Sequence, residues 1–266
     1  MTDPRPIGIF DSGLGGLSVL KEVRRLLPDE SVIYFADQGH LPYGPRSLSE
    51  VRYFSETITR FLLAQKAKVI VVACNTASAA ALTHLRRAFA GVPFVGMEPA
   101  VKPAAERTRS RTIGVMATAA TFQGQLFASV VDRFAQGVTV LTQACPELVM
   151  QVEAGEFDTA HTRELLREYL EPLLEDGIDS LVLGCTHFSF LMPAILNIVG
   201  PGIDIIDPAP AVARQVRRVL EESQAEKTEA ASPAFTAYTT GKSNPSALAS
   251  LMTGEAILFQ TISLNF

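Results

Sequence analysis

An α/β fold of two pseudo-symmetric parallel-sheet domains, with a cleft between them as the active site, is predicted by three observations on the 266-residue chain. Short β-branched runs alternate with helical stretches, the pattern of a parallel sheet covered by helices on both faces. The succession then restarts. TIGVMATAATFQG (Thr112–Gly124) echoes PIGIFDSGLGG (Pro6–Gly16), VTVL (Val138–Leu141) stands in for VIYF, SLVLGC for VIVVAC, and IDIIDPA (Ile203–Ala209) answers FVGMEPA (Phe94–Ala100). The matched pieces keep one order at offsets of 106 to 111 residues, so the chain reads as an internal duplication.

In the first copy, strands are expected at Pro6–Phe10, Ser31–Phe35, Val69–Ala73 and Pro93–Gly96, with helices at Leu17–Leu27, Leu48–Gln65 and Ala77–Phe89. After the second copy come a helix at Arg214–Glu222, a charged, alanine-rich linker at Gln224–Pro233, a strand in FTAYTTG (Phe235–Gly241) and a helix around Ala247–Met252. This tail is expected to pack back on the first unit. The domains are therefore residues 1–97 plus 208–266, and 98–207. Glu255–Phe266 is unusually apolar for a terminus and has no assigned place.

Composition excludes several classes. Hydrophobic residues make up 47% of the chain and charged ones 19%, which suits a soluble globular protein. A net charge of −5 argues against nucleic acid as a partner, since phosphate binding needs a basic face. The arginine pairs Arg24-Arg25, Arg86-Arg87 and Arg217-Arg218 read as solvated helix faces. Apolar runs such as Val69–Cys74 fall far short of the roughly 20 residues a bilayer span needs. MTDPRPIGIF lacks a signal-peptide apolar core. Three cysteines with no C-x-x-C spacing point to a reduced, cytoplasmic protein without a structural zinc site or other metal.

In parallel α/β sheets, ligands bind beyond the carboxyl ends of the strands. Cys74 and Cys185 both fall there, each just before an expected helix whose unpaired N–H groups would favour a thiolate. A small buried apolar role is the plain alternative for either. It weakens because the two thiols hold the same place in a repeated unit, followed by C-N-T-A-S and C-T-H-F-S. Cys145, without such a twin, reads as structural. FDSGLGGLS (Phe10–Ser18) suggests a phosphate loop, with Asp37 at about the distance of a ribose contact, but Ser18 stands where the third glycine is due. Asp11 reads better as a general base or an ammonium partner, and Ser12 as a hydrogen-bond donor. Pro42 and Gly44 in ADQGHLPYG make a tight turn that can present backbone N–H groups. His187 lies two residues from Cys185 and can tune it or donate a proton. Glu153 carries no signal from spacing alone.

If the two domains face each other, one substrate carbon lies between two sulfurs. A thiolate would remove a proton on one side while a thiol delivers another from the opposite side. No lysine occupies a strand-end position suited to a pyridoxal Schiff base, so no cofactor is implied.

The motifs FDSGLGGLSV, ADQGHLPYG, VVACNTAS, ATAAT, CPELVMQVEAG and LGCTHF together resemble those of the glutamate racemases, in the cofactor-independent aspartate/glutamate racemase superfamily. The resemblance runs from Ile7 to about Leu220 and more loosely through YTTG. It implies that Cys74 and Cys185 are the catalytic acid/base pair, Cys74 acting on the D-enantiomer and Cys185 on the L-enantiomer. It implies substrate contacts at Asp11, Ser12, Tyr43, Gly44, Asn75, Thr76, Thr118, Thr121, Thr186 and His187, and assistance to the thiols from Asp11, Glu153 and His187. It further implies glutamate as the small-molecule substrate, D-glutamate supplied to peptidoglycan in the bacterial cytoplasm, and a homodimer. An aspartate racemase of the same superfamily is the nearest alternative, and a nucleotide-binding Rossmann-like module the alternative from another class. Lys242 stands where the family commonly carries an acid.

Overall fold

The computed structural model describes residues 3–225 and 233–264. Its first run comprises β1 (Ile7–Asp11), α1 (Leu17–Leu26), β2 (Val32–Ala36), α2 (Leu48–Ala64), β3 (Val69–Val72), α3 (Asn75–Ala88) and β4 (Phe94–Gly96). The second begins with α4 (Val101–Arg107), β5 (Thr112–Ala117), α5 (Ala119–Gln123), α6 (Gln125–Phe134) and β6 (Thr139–Ala144). It continues through α7 (Pro146–Glu153), α8 (Ala160–Glu175), β7 (Ser180–Gly184), a 3-10 helix (Thr186–Leu191), α9 (Met192–Val199) and β8 (Asp204–Ile206). The tail holds α10 (Ala209–Glu222), β9 (Phe235–Thr239), α11 (Ser246–Thr253) and β10 (Phe259–Thr261).

Two parallel-sheet α/β domains result. One sheet runs β4-β3-β1-β2-β9-β10 and the other β8-β7-β5-β6, every pairing being parallel. The order is the same strand for strand, β1 matching β5, β2 matching β6, β3 matching β7 and β4 matching β8. The β-branched runs of β1, β2 and β3 are buried along their whole length, as strands covered on both faces must be. The copies differ at one edge. β6 is an edge strand with exposed residues, whereas its counterpart β2 is covered by β9 in register Val32–Ala36 against Phe235–Thr239. Ile257 and Phe259 are buried, the latter ring edge-on to Tyr34 at 6.1 Å. The apolar terminus thus extends the first sheet, which accounts for its composition. Most of the expected Gln224–Pro233 linker, and the last two residues of the terminal segment, lie outside the described residues.

Local rules set the helices that frame the cleft. α2 opens with a capping box in which Ser47 and Glu50 satisfy each other's backbone N–H groups. α1 buries Leu17, Leu20 and Val23 and ends on Arg24 and Arg25, where cations suit the negative end of the helix dipole. α3 starts at Asn75, two residues earlier than its sequence suggests, because Cys74 is itself the N-cap: its Sγ accepts from the Ala77 N–H at 3.4 Å. The second copy departs from this. After Cys185 comes a 3-10 helix with no side-chain cap. An α-helix begun at Thr186 would place Pro193 in its interior, without the N–H needed to reach back one turn. The sequence expectation of an α-helix dipole behind both thiols therefore holds for Cys74 alone.

Candidate active site

The carboxyl ends of β1, β3, β5, β6 and β7 converge on a cavity of about 200 Å³ between the sheets. Its lining includes Ser12, Tyr43, Gly44, Cys74, Asn75, Thr76, Thr118, Cys185, Thr186 and His187. The structure thus brings ten residues singled out in the sequence into one space, with a thiol from each domain. Asp11, Thr121 and Glu153 do not line it. They stand behind, bonded to residues that do.

Two relays lead away from the sulfurs. The Cys74 thiol donates to Ser12 Oγ at 3.8 Å, and Ser12 Oγ donates to Asp11 Oδ1 at 3.4 Å. On the other side, Cys185 Sγ lies 3.7 Å from His187 Nδ1, and His187 Nε2 lies 2.8 Å from Glu153 Oε1. Thr186 joins the two sides, donating from Oγ1 to Asp11 Oδ2 at 3.1 Å and sitting 3.4 Å from His187 Nδ1. A second cluster crosses the domains where Thr76 Oγ1 lies 2.8 Å from Thr118 Oγ1, itself 2.9 Å from Thr121 Oγ1.

The electrostatics are unlike on the two sides. Burial and then the Asp11 carboxylate push the Cys74 thiol from an ordinary 9.0 up to about 12, outweighing the Ala77 N–H that favours thiolate. Burial also raises Asp11, against the pull of His187 and the Gly13 N–H. Burial alone would lower His187, but its hydrogen bonds with Cys185 and Glu153 win and hold it well above the ordinary histidine value. Glu153 is dragged upward by burial, yet His187, the Leu14 N–H and Gln38 keep it below the usual carboxylate range. A protonated imidazole therefore sits beside one sulfur and a neutral thiol forms the other.

The glycine-rich FDSGLGG loop has a different purpose from phosphate binding. A Cβ on Gly13 would come within 2.2 Å of Glu153 Oε1, and one on Gly15 within 2.4 Å of both His187 Nδ1 and Thr186 Oγ1. These glycines let the second domain's side chains press onto the first domain's backbone, and Leu14 N donates to Glu153 Oε1 at 2.6 Å. Nor does Asp37 await a ribose. It is buried and accepts from Tyr43 OH at 2.6 Å and Thr240 Oγ1 at 2.6 Å, with His40 Nδ1 at 2.9 Å. Tyr43 thereby commits its hydroxyl to Asp37 while lining the cavity.

Sequence reasoning missed the apolar wall of Pro45, Ala119, Ala144, Pro146 and Val149, which Pro42 of the expected turn completes. The duplication could have found part of it, since Ala144 ends β6 and Pro146 follows it, where the ADQGHLPYG loop follows β2. Cys145 is buried, with its thiol donating to Gln143 O at 3.4 Å, and is absent from the cavity lining. Among the described residues no group of three or more His, Cys, Asp or Glu is placed to hold a metal ion. Lys68, buried against Glu30 at 2.6 Å, lies at the opposite end of β3 from the cavity.

Two duplicated parallel sheets thus deliver one strand-end thiol each to a shared cavity. The chain belongs to the Asp/Glu/Hydantoin racemase family, which matches residues 7–216, and is accordingly an amino-acid racemase, an isomerase. It is 52% identical over 238 residues to a glutamate racemase of Roseiflexus sp. (strain RS-1), covering 89% of this chain and 88% of that one. Its fold matches the crystal structure of Francisella tularensis glutamate racemase in complex with D-glutamate, with TM-score 0.87, 29% identity and 99% of both chains covered. It also matches Escherichia coli glutamate racemase in complex with L-glutamate and the activator UDP-MurNAc-ala, with TM-score 0.86, 31% identity and 99% and 100% coverage.

The raised Cys74 thiol makes a direct prediction. In a Cys145→Ala/Cys185→Ala background, iodoacetamide labelling of Cys74 should keep accelerating with pH well beyond the ordinary thiol value of 9.0, because only thiolate reacts. A plateau at or below that value would remove the elevated pKa.

Proposed function

We propose that the chain interconverts L- and D-glutamate by two-base proton exchange at Cα between Cys74 and Cys185, without a cofactor, and so supplies D-glutamate for peptidoglycan. The observation that carries this reading is the pair of thiols, delivered from matched strand ends of the two domains into one cavity. The identity to chains named glutamate racemase favours glutamate over aspartate. The filled glycine loop and the committed Asp37 leave the dinucleotide reading without its phosphate and ribose contacts. The proposed division of the chain is 1–97 plus 208–266 against 98–207, supported by β9 and β10 joining the first sheet and α10 packing on α1.

In the L-to-D direction, the Cys185 sulfur, as thiolate beside protonated His187, takes the Cα proton. The electron pair left on carbon delocalises into the α-carboxylate. The Cys74 thiol then delivers its own proton to the opposite face, leaving Cys74 as thiolate and Cys185 as thiol. A D-enantiomer meeting the pair in that state reacts in the reverse direction, and before a further L-enantiomer reacts Cys185 gives its proton to solvent while Cys74 takes one up. Thiolate conjugate to a thiol pushed up to about 12 is a stronger base than an ordinary one, which narrows the gap to a weak carbon acid. Developing carboxylate charge meets the hydroxyl cluster of Thr76 and Thr118 and the N-terminus of α3, donors fixed before reaction begins. Asp11 and Ser12 hold Cys74, while Glu153 and His187 hold Cys185. Thr121 steadies Thr118, and Tyr43 and Gly44 supply ring and backbone.

Asn75 is the substrate contact with the plainest physical signature. It is 2% exposed, lines the cavity, and has no hydrogen-bond partner for Oδ1 or Nδ2 among the described residues. A buried amide left open costs about 1–3 kcal/mol, a cost that a bound carboxylate and ammonium remove.

The founding test is incubation of the pure protein with either enantiomer in heavy water, no cofactor added. Loss of optical activity together with deuterium at Cα is expected, and each of Cys74→Ser and Cys185→Ser should cripple racemisation. Undiminished rates after both thiols are replaced by alanine would sink the mechanism. Asn75→Ala should raise KM about 10- to 150-fold, the equivalent of about 1.5–3 kcal/mol lost to a charged group, without lowering thermal stability. An unchanged KM with a lower Tm would instead make Asn75 a structural residue.

We also propose a cytoplasmic homodimer. Leu251 and Leu258, 71% and 79% exposed, support a self-associating face, and the three free thiols support a reducing compartment. No helix among the described residues is long and apolar enough to cross a membrane. Light scattering should give twice the 28.7 kDa chain mass, and fractionation should place the protein with the cytosol. A single-chain mass at micromolar concentration, or recovery outside the cytosol, would overturn this.

A further inference from the structure

Glu153 is the last residue of α7, where a carboxylate faces the negative end of the helix dipole. Its own helix therefore does not hold it. What does is a set of three N–H donors: Leu14 N at 2.6 Å and His187 Nε2 at 2.8 Å on Oε1, and Gln38 Nε2 at 2.8 Å on Oε2. Two of the three come from the first domain. The Gln38 amide is fixed in turn, because Thr239 Oγ1 donates to its Oε1 at 3.0 Å, while Thr239 Oγ1 accepts from Gly241 N at 3.0 Å. Thr239 is fully buried at the end of β9. Gly241 lies so close that a Cβ there would stand 3.0 Å from Gln38 Cβ.

We propose that Gln38 is a positioning residue for the Cys185 half of the exchange, and that the tail strand reaches the active site through it. The path runs Thr239, Gln38, Glu153, His187, Cys185, each joined to the next by a hydrogen bond, and it crosses from the first domain to the second at Gln38. Gln38 is not among the cavity-lining residues, and its side chain bonds to Glu153 and Thr239 rather than to the Cys74–Ser12–Asp11 relay. Without its N–H, Oε2 of Glu153 loses its donor, the carboxylate is freed to turn, and His187 is no longer held in line with Cys185. The Cys185 half-site is thus complete only when the two domains are in contact. The inference rests on the proposed two-thiol mechanism and on Cys185 serving the L-enantiomer.

The two enantiomers have equal free energy, so kcat/KM in the two directions must fall together in any variant. A one-sided defect is visible in isotope effects instead. In Gln38→Ala, kcat/KM should drop about tenfold, the order of one hydrogen bond to a charged group. The transition state in which Cys185 exchanges the proton then becomes the higher of the two. α-Deuterated L-glutamate should show a larger isotope effect on kcat/KM than in the unmodified protein, and α-deuterated D-glutamate a smaller one. Thr239→Val, which removes only the hydroxyl orienting the amide, should shift the effects the same way to a smaller extent. It serves if Gln38→Ala fails to fold. Isotope effects that stay unchanged, move together, or shift toward the D-substrate would overturn the proposal. If the unmodified protein exchanges no deuterium at Cα, the racemase reading itself fails and takes this one with it. Exchange in that control isolates any failure to Gln38.

Discussion

One buried carboxylate gathers hydrogen bonds from both domains. Glu153 accepts from Leu14 and Gln38 of the first domain and from His187 of its own. It is buried beside a buried imidazole, and ion pairs in such places survive only when their remaining hydrogen-bonding capacity is met. Meeting it demands that backbone and side chain approach within normal contact distance, which glycine alone permits at positions 13 and 15. The FDSGLGG loop, the end of α7 and the turn after β7 are consequently one solution to one constraint. Moving any of the three leaves a charge unpaired in the interior.

Duplication explains why two thiols meet, but the halves have diverged electrostatically. Cys74 caps a fourteen-residue α-helix and backs onto a hydroxyl and a carboxyl group. Cys185 precedes a six-residue 3-10 helix and has an imidazole instead. The proposed exchange needs one thiol and one thiolate, and the surroundings of the two sulfurs differ: burial and Asp11 favour the neutral thiol at Cys74, while a histidine stands beside Cys185. The Thr186 bridge to Asp11 ties the halves together, so that charge arriving at one is felt at the other.

Much of this was legible in the sequence because it follows from periodicity and repetition. Strands such as β3 were fixed by unbroken β-branched runs, and the pairing of Cys74 with Cys185 came from their common place in a repeated unit. Local rules carried less. The α-helix expected behind Cys185 fails at Pro193, and α3 begins early because a cysteine, an unusual N-cap, serves as one. Glu153 entered only through the family resemblance, and Gln38 and Thr239 were invisible, for a different reason. Their meaning lies in contacts 34 to 201 residues apart along the chain, which no local pattern encodes. The glycine motif was legible as a motif and misleading as chemistry, since close approach by a protein side chain and by a phosphate select the same residue.

The chemistry of the cavity wall also explains what it leaves out. Its described residues offer hydroxyls, one amide, two thiols, an imidazole and an apolar side, yet no lysine or arginine, although the proposed substrate carries two carboxylates. A cation among the lining residues would bind the substrate's ground state well. It would also lie near Cys74 and pull its pKa down. Cys74 would then lose the elevated value that burial and Asp11 give it, and with it both its proton at neutral pH and its strength as a base afterwards. Neutral donors avoid that conflict. Hydroxyls and backbone N–H groups at the start of α3 strengthen their bonds as negative charge grows on the α-carboxylate, without fixing a full positive charge beside the thiols. The one cation the wall does contain, protonated His187, is placed against Cys185 and neutralised from behind by Glu153. In the proposed mechanism, binding energy is thereby directed to the step in which carbon gives up its proton rather than to holding the amino acid at rest.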